Sequence, residues 1–557
     1  MILGIDVGGT HTDAVLLENF EIKRKAKVKT QPENILASLL EVTSLLLDGL
    51  DPKSLRRVVL STTISTNAIV QNKIRRVGMI IASGPGLPPS LLPFREDIYH
   101  LSAYMNHRGF EVVPLDAWEV ERAVAEFEKK GIEHVGVVGK FCTRNPAHEI
   151  EVGDMIKGRF KHVSLGHKLS GRLNFRRRIA TTYLNAAVSS LYRRFALAVM
   201  SFVRDVGVKA PVYILKADGG TVEIEESINY PCQTILSGPA ASIMGVVALV
   251  NGQRDAVALD IGGTTTDIAV FADGVPLLEG FGVKIGGLKT LIRGLRTRSI
   301  GVGGDSRVRW QDGQLIIGPE REGDAAALGG PYATPTDAMV WIGLSELGDR
   351  RKAGEAIGEL AQAAGKPLDD MARWIFEETT KKIARAVEEF VSEINNEPVY
   401  TIHELLEGRK VRPEYLYLVG GPAQVMARPL GEVLKLNYQV VPHAEVANAI
   451  GAALARTTTE LTLNADTEKR KLAIAEEGET LYIPPKMGVK DVIRLGHEKL
   501  VERAVRMGAK EGDIEVEVVE QQEFNMVRGF DTVGKNIRVK LQIKPGLITR
   551  KRENEER

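Results

Sequence analysis

Cysteine is nearly missing from this chain: its 557 residues include only Cys142 and Cys232. The two lie ninety positions apart, in no metal-type spacing and no local iron–sulfur motif. That disfavours a disulfide-stapled scaffold and a cluster-carrying ATPase, and a reducing compartment fits best. An excess of one charge is missing too. Lys and Arg number 73 against 72 Asp and Glu, leaving +1 and no global field to recruit nucleic acid or an anionic membrane. The triplet Arg176-Arg177-Arg178 has no further basic clustering or interleaved aromatics, and reads as a solvated helix face. Long apolar runs are absent, and the longest, residues 243–250, falls far short of a bilayer span. Asp6 interrupts the first apolar stretch and no basic segment precedes it, so no secretory leader is expected and the chain should be cytoplasmic. The histidines are scattered, with no Ser/His/Asp set and no His/Cys cluster at a telling spacing. What remains is 44% hydrophobic and 26% charged, an ordinary composition for a folded chain too long for a single core.

Two stretches stand out against this background. Ile2-Leu3-Gly4-Ile5 runs into Asp6-Val7-Gly8-Gly9-Thr10-His11-Thr12-Asp13, and Ala256-Val257-Ala258-Leu259 into Asp260-Ile261-Gly262-Gly263-Thr264-Thr265-Thr266-Asp267. Aligned without a gap, the octets differ only at Val7/Ile261 and His11/Thr265. In each, an apolar strand meets a carboxylate, a Gly-Gly-Thr turn and a second apolar run. The pattern predicts a β-hairpin whose turn lets backbone N–H groups approach an anion closely. The threonines add hydroxyl donors. The leading aspartate suits a Mg2+-bound water, because Mg2+ favours few carboxylates together with phosphate oxygens. One such turn is weak evidence, whereas two copies in phase point to a duplicated nucleotide clamp.

Around the clamp, strand and helix signals alternate, as in α/β layers around a mixed sheet. A third strand is expected over residues 22–28, a helix from Pro32, and a buried strand over 58–60. That strand leads into the hydroxyl-rich Ser61-Thr62-Thr63-Ile64-Ser65-Thr66-Asn67-Ala68, either a helix cap with spare hydroxyls or a polar lining for a cleft. Helices are expected over 115–130, 146–157 and 176–206, with strands at 77–82 and 134–140. Ser237-Gly238-Pro239 opens a small-residue helix whose N-terminus suits a phosphate or carboxylate, or an ordinary cap. Further on come a glycine-rich loop over 299–306, a helix over 371–395, and a strand over 415–419 ending in Gly420-Gly421, flat enough for an adenine or ribose. Residues 468–479 are polar and charged, a boundary by composition. An amphipathic helix (489–507) and alternating strand positions follow, and the tail 549–557 is expected to be disordered.

In this order the parts resemble the actin-like ATPase superfamily and, within it, the ATP-using A subunit of the hydantoinase/oxoprolinase family. The matching motifs are Gly4-Ile5-Asp6-Val7-Gly8-Gly9-Thr10, Ser61-Thr62-Thr63 with Asn67-Ala68, Ser237-Gly238-Pro239-Ala240, and the whole second octet. Ser299-Ile300-Gly301, Pro335-Thr336-Asp337-Ala338 and Ala447-Asn448-Ala449-Ile450-Gly451 complete the set. The resemblance implies an α/β fold with two actin-like (ribonuclease H-like) halves around a nucleotide cleft, plus a small C-terminal α+β unit. Residues 1–185 would carry the first phosphate hairpin, 186–456 the second hairpin and an adenosine loop, and 457–557 the C-terminal unit. ATP and Mg2+ are the implied cofactors, with Asp6 and Asp260 as metal-binding and catalytic carboxylates. Gly8, Gly9, Thr10, Thr12, Gly262, Gly263, Thr264 and Thr265 would hold phosphates, Gly420 and Gly421 the adenosine, and Gly303 and Gly304 would also bind the nucleotide. Ser61, Thr62, Asn67 and Asp337 would face the substrate, while Asp13 and Asp267 either cap their own hairpins or act directly in catalysis. The chain departs from the family's pattern at His11, where an aromatic residue is usual, and at Asp305, where a small one is usual. Residues 315–330 also lack part of the expected Gly/Pro-rich pattern.

The activity so implied is the ATP-dependent opening of a cyclic amide, a hydantoin or a 5-oxoproline-like ring. Such an amide is a poor electrophile, and transfer of the γ-phosphoryl group to its carbonyl oxygen turns that oxygen into a leaving group. Phosphoryl transfer needs positioning and charge neutralisation more than covalent help, which suits two Gly-Gly-Thr turns and Mg2+. A B-type hydantoinase partner subunit and an oligomer are implied as well. The alternatives are an ATPase subunit of a ketone carboxylase, and a slow actin-like ATPase that acts as a switch.

Overall fold

The computed structural model describes residues 1–9, 11–31, 34–94, 96–250, 252, 254–396 and 410–548. Thr10, the helix start expected at Pro32, and the tail 549–557 lie outside the described residues. The fold is mixed α/β, and the chain clusters into two units. Met1–Ala240, Glu279–Gly294 and Ala452–Arg557 form one, and Ala241–Leu278 with Leu295–Gly451 the other. The boundaries expected at 185/186 and 456/457 are not where the chain divides. Asn185 sits within one continuous helix, Phe175–Asp205, and everything after Ala452 belongs with the first unit.

The first unit is built on a six-stranded sheet in the order Thr221–Glu223, Val212–Leu215, Arg57–Thr62, Ile2–Val7, His11–Glu18, Glu21–Lys29. Ile2–Val7 runs antiparallel to His11–Glu18 and parallel to Arg57–Thr62. Its Leu3, Ile5 and Val7 pack against Leu39 and Val42 of helix Ile35–Leu47 and against Tyr192 and Val199 of the long helix. Each such fully buried side chain stabilises by roughly 1.5–3 kcal/mol. The first half of the long helix packs Phe175, Ile179 and Ala186 on a second, parallel sheet through Val77, Met79 and Ile81. That helix is long and apolar enough to cross a membrane, yet its apolar residues are the core beneath two sheets. Arg178, read as part of a solvated face, is wholly buried and donates to the carbonyls of Arg172, Gly139 and Lys140. Arg177 donates to the Phe281 carbonyl, so the arginine triplet is largely structural.

A five-stranded antiparallel sheet closes this unit, in the order Glu479–Tyr482, Lys471–Ile474, Glu460–Asp466, Asp531–Ile543, Val516–Arg528. Helix Val489–Arg506 covers it, with Val492 and Leu500 against Leu461, Leu463 and Leu541. Residues 468–479, expected to be a boundary, supply strands of this sheet. Their charge misled because it is compensated inside the fold. Buried Glu476 accepts from the Gly171 and Thr462 N–H groups and from Thr462 Oγ1.

The second unit carries the strands Val275–Pro276, Thr266–Ala272, Ala256–Ile261, Tyr415–Val419 and Asn437–Val440, with Thr297–Ile300 also paired to Thr266–Ala272. Ala256–Ile261 runs antiparallel to Thr266–Ala272 and parallel to Tyr415–Val419, repeating the pattern of the first sheet. Leu259 and Ile268 share a core with Met371, Ile375 and Ile383 of helix Leu368–Asn396 and with Ile357 of helix Arg350–Ala364. The latter helix was not anticipated, although Asp349 caps its start and left-handed Gly365 ends it.

Candidate functional site

Both octets fold as hairpins in the same register. Asp6 stands opposite Asp13 and Val7 opposite Thr12, as Asp260 stands opposite Asp267 and Ile261 opposite Thr266. The Gly8 N–H donates to His11 O at 3.0 Å and the Gly262 N–H to Thr265 O at 2.9 Å, closing each turn. A Cβ on Gly8 would lie 2.9 Å from His11 O, whereas at Gly9 nothing comes within 4 Å. The first glycine makes the turn, and the second leaves exposed backbone open to a ligand.

The outer carboxylates have different neighbours. Asp13 stands opposite Lys27 and forms an ion pair with it at 2.9 Å. Asp267 stands in the equivalent place opposite Ser299. Burial and then the facing Asp260 carboxylate push its carboxyl up to about 7, against a hydrogen bond with Ser299. A divalent cation relieves the repulsion within such a pair. Mg2+, which takes few carboxylates along with phosphate and water oxygens, fits this oxygen-only donor set. Asp260 also accepts from Ser242 Oγ.

The glycine-rich loop lies on the second turn. The Gly304 N–H donates to Gly262 O at 2.9 Å and the Asp305 N–H to Gly263 O at 2.6 Å. A Cβ on Gly303 would lie 2.6 Å from Gly262 O, and one on Gly304 2.8 Å from Thr336 Oγ1. Both glycines are buried and support the turn from behind. Gly420, at φ +94°, presses on the same strand: its Cβ would lie 2.3 Å from Ile261 O and 2.9 Å from Asp260 Oδ1. Gly421 is exposed, with open space where a Cβ would stand.

Comparison with known proteins agrees with these two hairpins. The model of the hydantoinase/oxoprolinase N-terminal region matches residues 2–160 and that of hydantoinase/oxoprolinase residues 178–461, so each range holds one octet. The chain belongs to the hydantoinase/oxoprolinase family. It is 24% identical to caprolactamase subunit alpha of Pseudomonas jessenii, over 79% of this chain and 68% of that one. It is 25% identical to acetophenone carboxylase gamma subunit of Aromatoleum aromaticum, over 61% and 53%. The nucleotide-free structure of acetone carboxylase matches with a TM-score of 0.74 at 16% identity, over 99% of this chain and 88% of that one, a likeness of fold.

In this hydantoinase/oxoprolinase chain a further side chain, not singled out from the sequence, reaches the second turn. Arg321 Nη1 donates to Thr264 Oγ1 at 3.3 Å, and Nη2 lies 3.0 Å from Asp305 Oδ2. The hairpin of Val308–Gln311 with Gln314–Ile317 carries it there, prolonged by an Arg307 N–H bond to Glu320 O. The available signal was Asp312-Gly313, a favoured two-residue turn between apolar flanks.

The residues expected at a substrate are divided: Ser61, Thr62 and Asn67 lie in the first unit and Asp337 in the second. Ser61 and Thr62 are buried. Ser61 Oγ donates to Ser237 O at 3.4 Å, Ser237 Oγ to Thr62 O at 2.8 Å, and Thr62 Oγ1 accepts from the Ile64 N–H. These hydroxyls tie Ser237 to the strand. Asp337 is wholly buried as well; it forms a capping box with Thr334 and accepts from the Ala326 and Ala327 N–H groups. Thr12, expected at a phosphate, is buried against Thr30 Oγ1 at 2.9 Å. One reason covers all four placements. A hydroxyl or carboxylate at a strand or helix end satisfies buried backbone and side-chain groups as readily as it meets a ligand. Asn67 alone of this set is exposed, its Nδ2 donating to Thr63 Oγ1 at 3.1 Å.

Proposed function

We propose that this chain uses ATP to open a cyclic amide. The observation that carries the proposal is the second hairpin: a closed Gly-Gly-Thr turn, a carboxylate pair at its base, and exposed Gly421 beyond the next strand. We read the two hairpin-bearing sheets as actin-like (ribonuclease H-like) halves, since each sets its hairpin antiparallel and the following strand parallel. Backbone N–H groups and Thr264 and Thr265 would receive phosphate oxygens at the second turn, with Gly8 and Gly9 offering the same chemistry at the first. Asp260, with Asp267 beside it, would hold Mg2+, which when bound screens the charge of the phosphates. The amide carbonyl oxygen attacks the γ-phosphorus as the bond to ADP breaks. Water then adds to the activated carbon and the C–N bond of the ring opens, a proton of that water passing to the departing nitrogen to leave an acyl phosphate, and a second water releases phosphate and the ring-opened acid. The name of caprolactamase subunit alpha supports both the substrate class and a partner subunit. Free, buried Cys142 and Cys232 accord with a cytoplasmic setting.

A second reading, the ATPase subunit of a ketone carboxylase, is favoured by the likeness to acetophenone carboxylase gamma subunit. ADP release with lactams, hydantoins and 5-oxoproline, against ketone plus bicarbonate, separates the two, run with and without a co-purified partner. The expected result is slow ADP release by the chain alone, stimulated by a cyclic amide together with formation of the ring-opened acid. Stimulation by ketone and bicarbonate alone would transfer the case to the carboxylase reading. A melting temperature unmoved by millimolar Mg·ATP would remove the nucleotide altogether, because a ligand that binds the folded state stabilises it.

A further inference from the structure

We propose that Arg321 grips the nucleotide phosphate seated at the second turn, and that Asp305 holds it in place to do so. This rests on the ATP reading above and adds to it a residue outside the two octets.

A Cβ built on Gly263 would lie 2.5 Å from Asp305 Oδ2 and 3.4 Å from Arg321 Nη1, so carboxylate and guanidinium both border the turn glycine. Orientation follows from the acceptors around the guanidinium. Nε donates to Gly323 O at 3.0 Å, and Nη2 faces Asp305 Oδ2 at 3.0 Å and Asp324 Oδ1 at 3.2 Å. Nη1 bears two N–H groups, and its acceptor among the described residues is Thr264 Oγ1 at a long 3.3 Å. Two edges of the planar fork are thus fixed by the protein, and the third is turned to the hydroxyl expected at a phosphate. Asp305 is itself anchored, its N–H on Gly263 O at 2.6 Å and its Oδ1 accepting from Thr336 Oγ1 at 3.2 Å.

Charge supplies the purpose. Asp260 and Asp267 already place two carboxylates at the base of the turn, and a triphosphate adds more negative charge there. A guanidinium donates to phosphate oxygens in a fixed fork and stabilises charge that builds up as the phosphoryl group moves. The opposite role is a plug, in which the ion pair covers the turn and keeps phosphate out.

Steady-state ADP release with Mg·ATP separates the two roles. Arg321→Ala is expected to lower kcat/KM for ATP by about 10- to 100-fold, the value of one charged hydrogen-bonding contact. Arg321→Lys should recover part of the loss. Asp305→Asn, which keeps the shape and removes the ion pair, should raise KM for ATP more than it lowers kcat. Arg309→Ala, whose partner is Glu320 on the hairpin that leads to Arg321, should match the wild type. Should Arg321→Ala fail to fold, Arg321→Gln keeps the length, loses the charge and decides the question by the same measurement. Unchanged turnover after loss of the Arg321 charge overturns the proposal, and faster turnover overturns it and establishes the plug. A wild-type chain that does not bind Mg·ATP would instead overturn the ATP reading, a separate and recognisable failure.

Discussion

Asp13 and Asp267 occupy equivalent places in hairpins of nearly the same sequence, yet Lys27 neutralises one while burial beside Asp260 pushes the other up to about 7. Glu460 shows the opposite outcome. Burial alone would raise its carboxyl, but Lys540 at 2.7 Å, with Arg293 and Arg172, outweighs that and brings it down to about 2. The stability effect has a definite sign. The unfolded chain titrates Glu460 near 4.5, so the stabilisation is complete above that pH and disappears as pH falls from 4.5 towards 2. Glu460→Gln should therefore cost on the order of 3 kcal/mol at pH 7. Its stability should converge on that of the wild type as the pH is lowered through this window, followed by denaturant unfolding at each pH. A constant difference across the whole range would show that Glu460 acts through shape and not charge.

At the scale of elements, much of the alternation was legible. Strands Val77–Ala82 and Tyr415–Val419 coincide with their apolar runs, and helix Leu368–Asn396 covers the amphipathic stretch expected over 371–395. Helix Arg350–Ala364 was missed because its apolar face is mostly small residues, Ala353, Gly354 and Ala361 around Ile357. The strand-to-loop junction at Gly420 offers a direct test. A left-handed φ and a would-be Cβ 2.3 Å from Ile261 O mean that any side chain must displace backbone beside Asp260. Gly420→Ala should destabilise by about 1–3 kcal/mol in denaturant unfolding. It should also weaken the Mg·ATP-dependent rise in melting temperature in whatever fraction folds. Full stability together with full nucleotide response would show that the junction yields easily and does not position the carboxylate.

At the scale of the whole molecule, the segment after Ala452 is part of the first unit and not an appendage to it. Thr458 accepts from Lys216 Nζ through its carbonyl and donates to Asp218 Oδ2 through its hydroxyl, and Arg57 donates to the Ala455 carbonyl. A chain ending at Arg456 would leave Lys216 and Asp218 buried without Thr458, and should aggregate or lose its cooperative melt. Limited proteolysis of the full chain should spare residues 468–479 until global unfolding. A folded, nucleotide-binding fragment 1–456 would show that these buried charges are dispensable. The sequence by itself determined the two hairpins, their phase and the family, because a Gly-Gly-Thr turn between apolar strands is a local signal and its repetition is visible without a fold. Only the tertiary structure decided which polar groups remain open to a ligand. Asp337, Thr12 and Ser61 are occupied by partners brought in by folding, and the charge of Asp267 depends on the strand across from it. Arg321, 57 positions from Thr264, acquires its place only when a separate hairpin delivers it to the turn. Desolvation and long-range pairing depend on distances in space, and a linear sequence does not carry those distances.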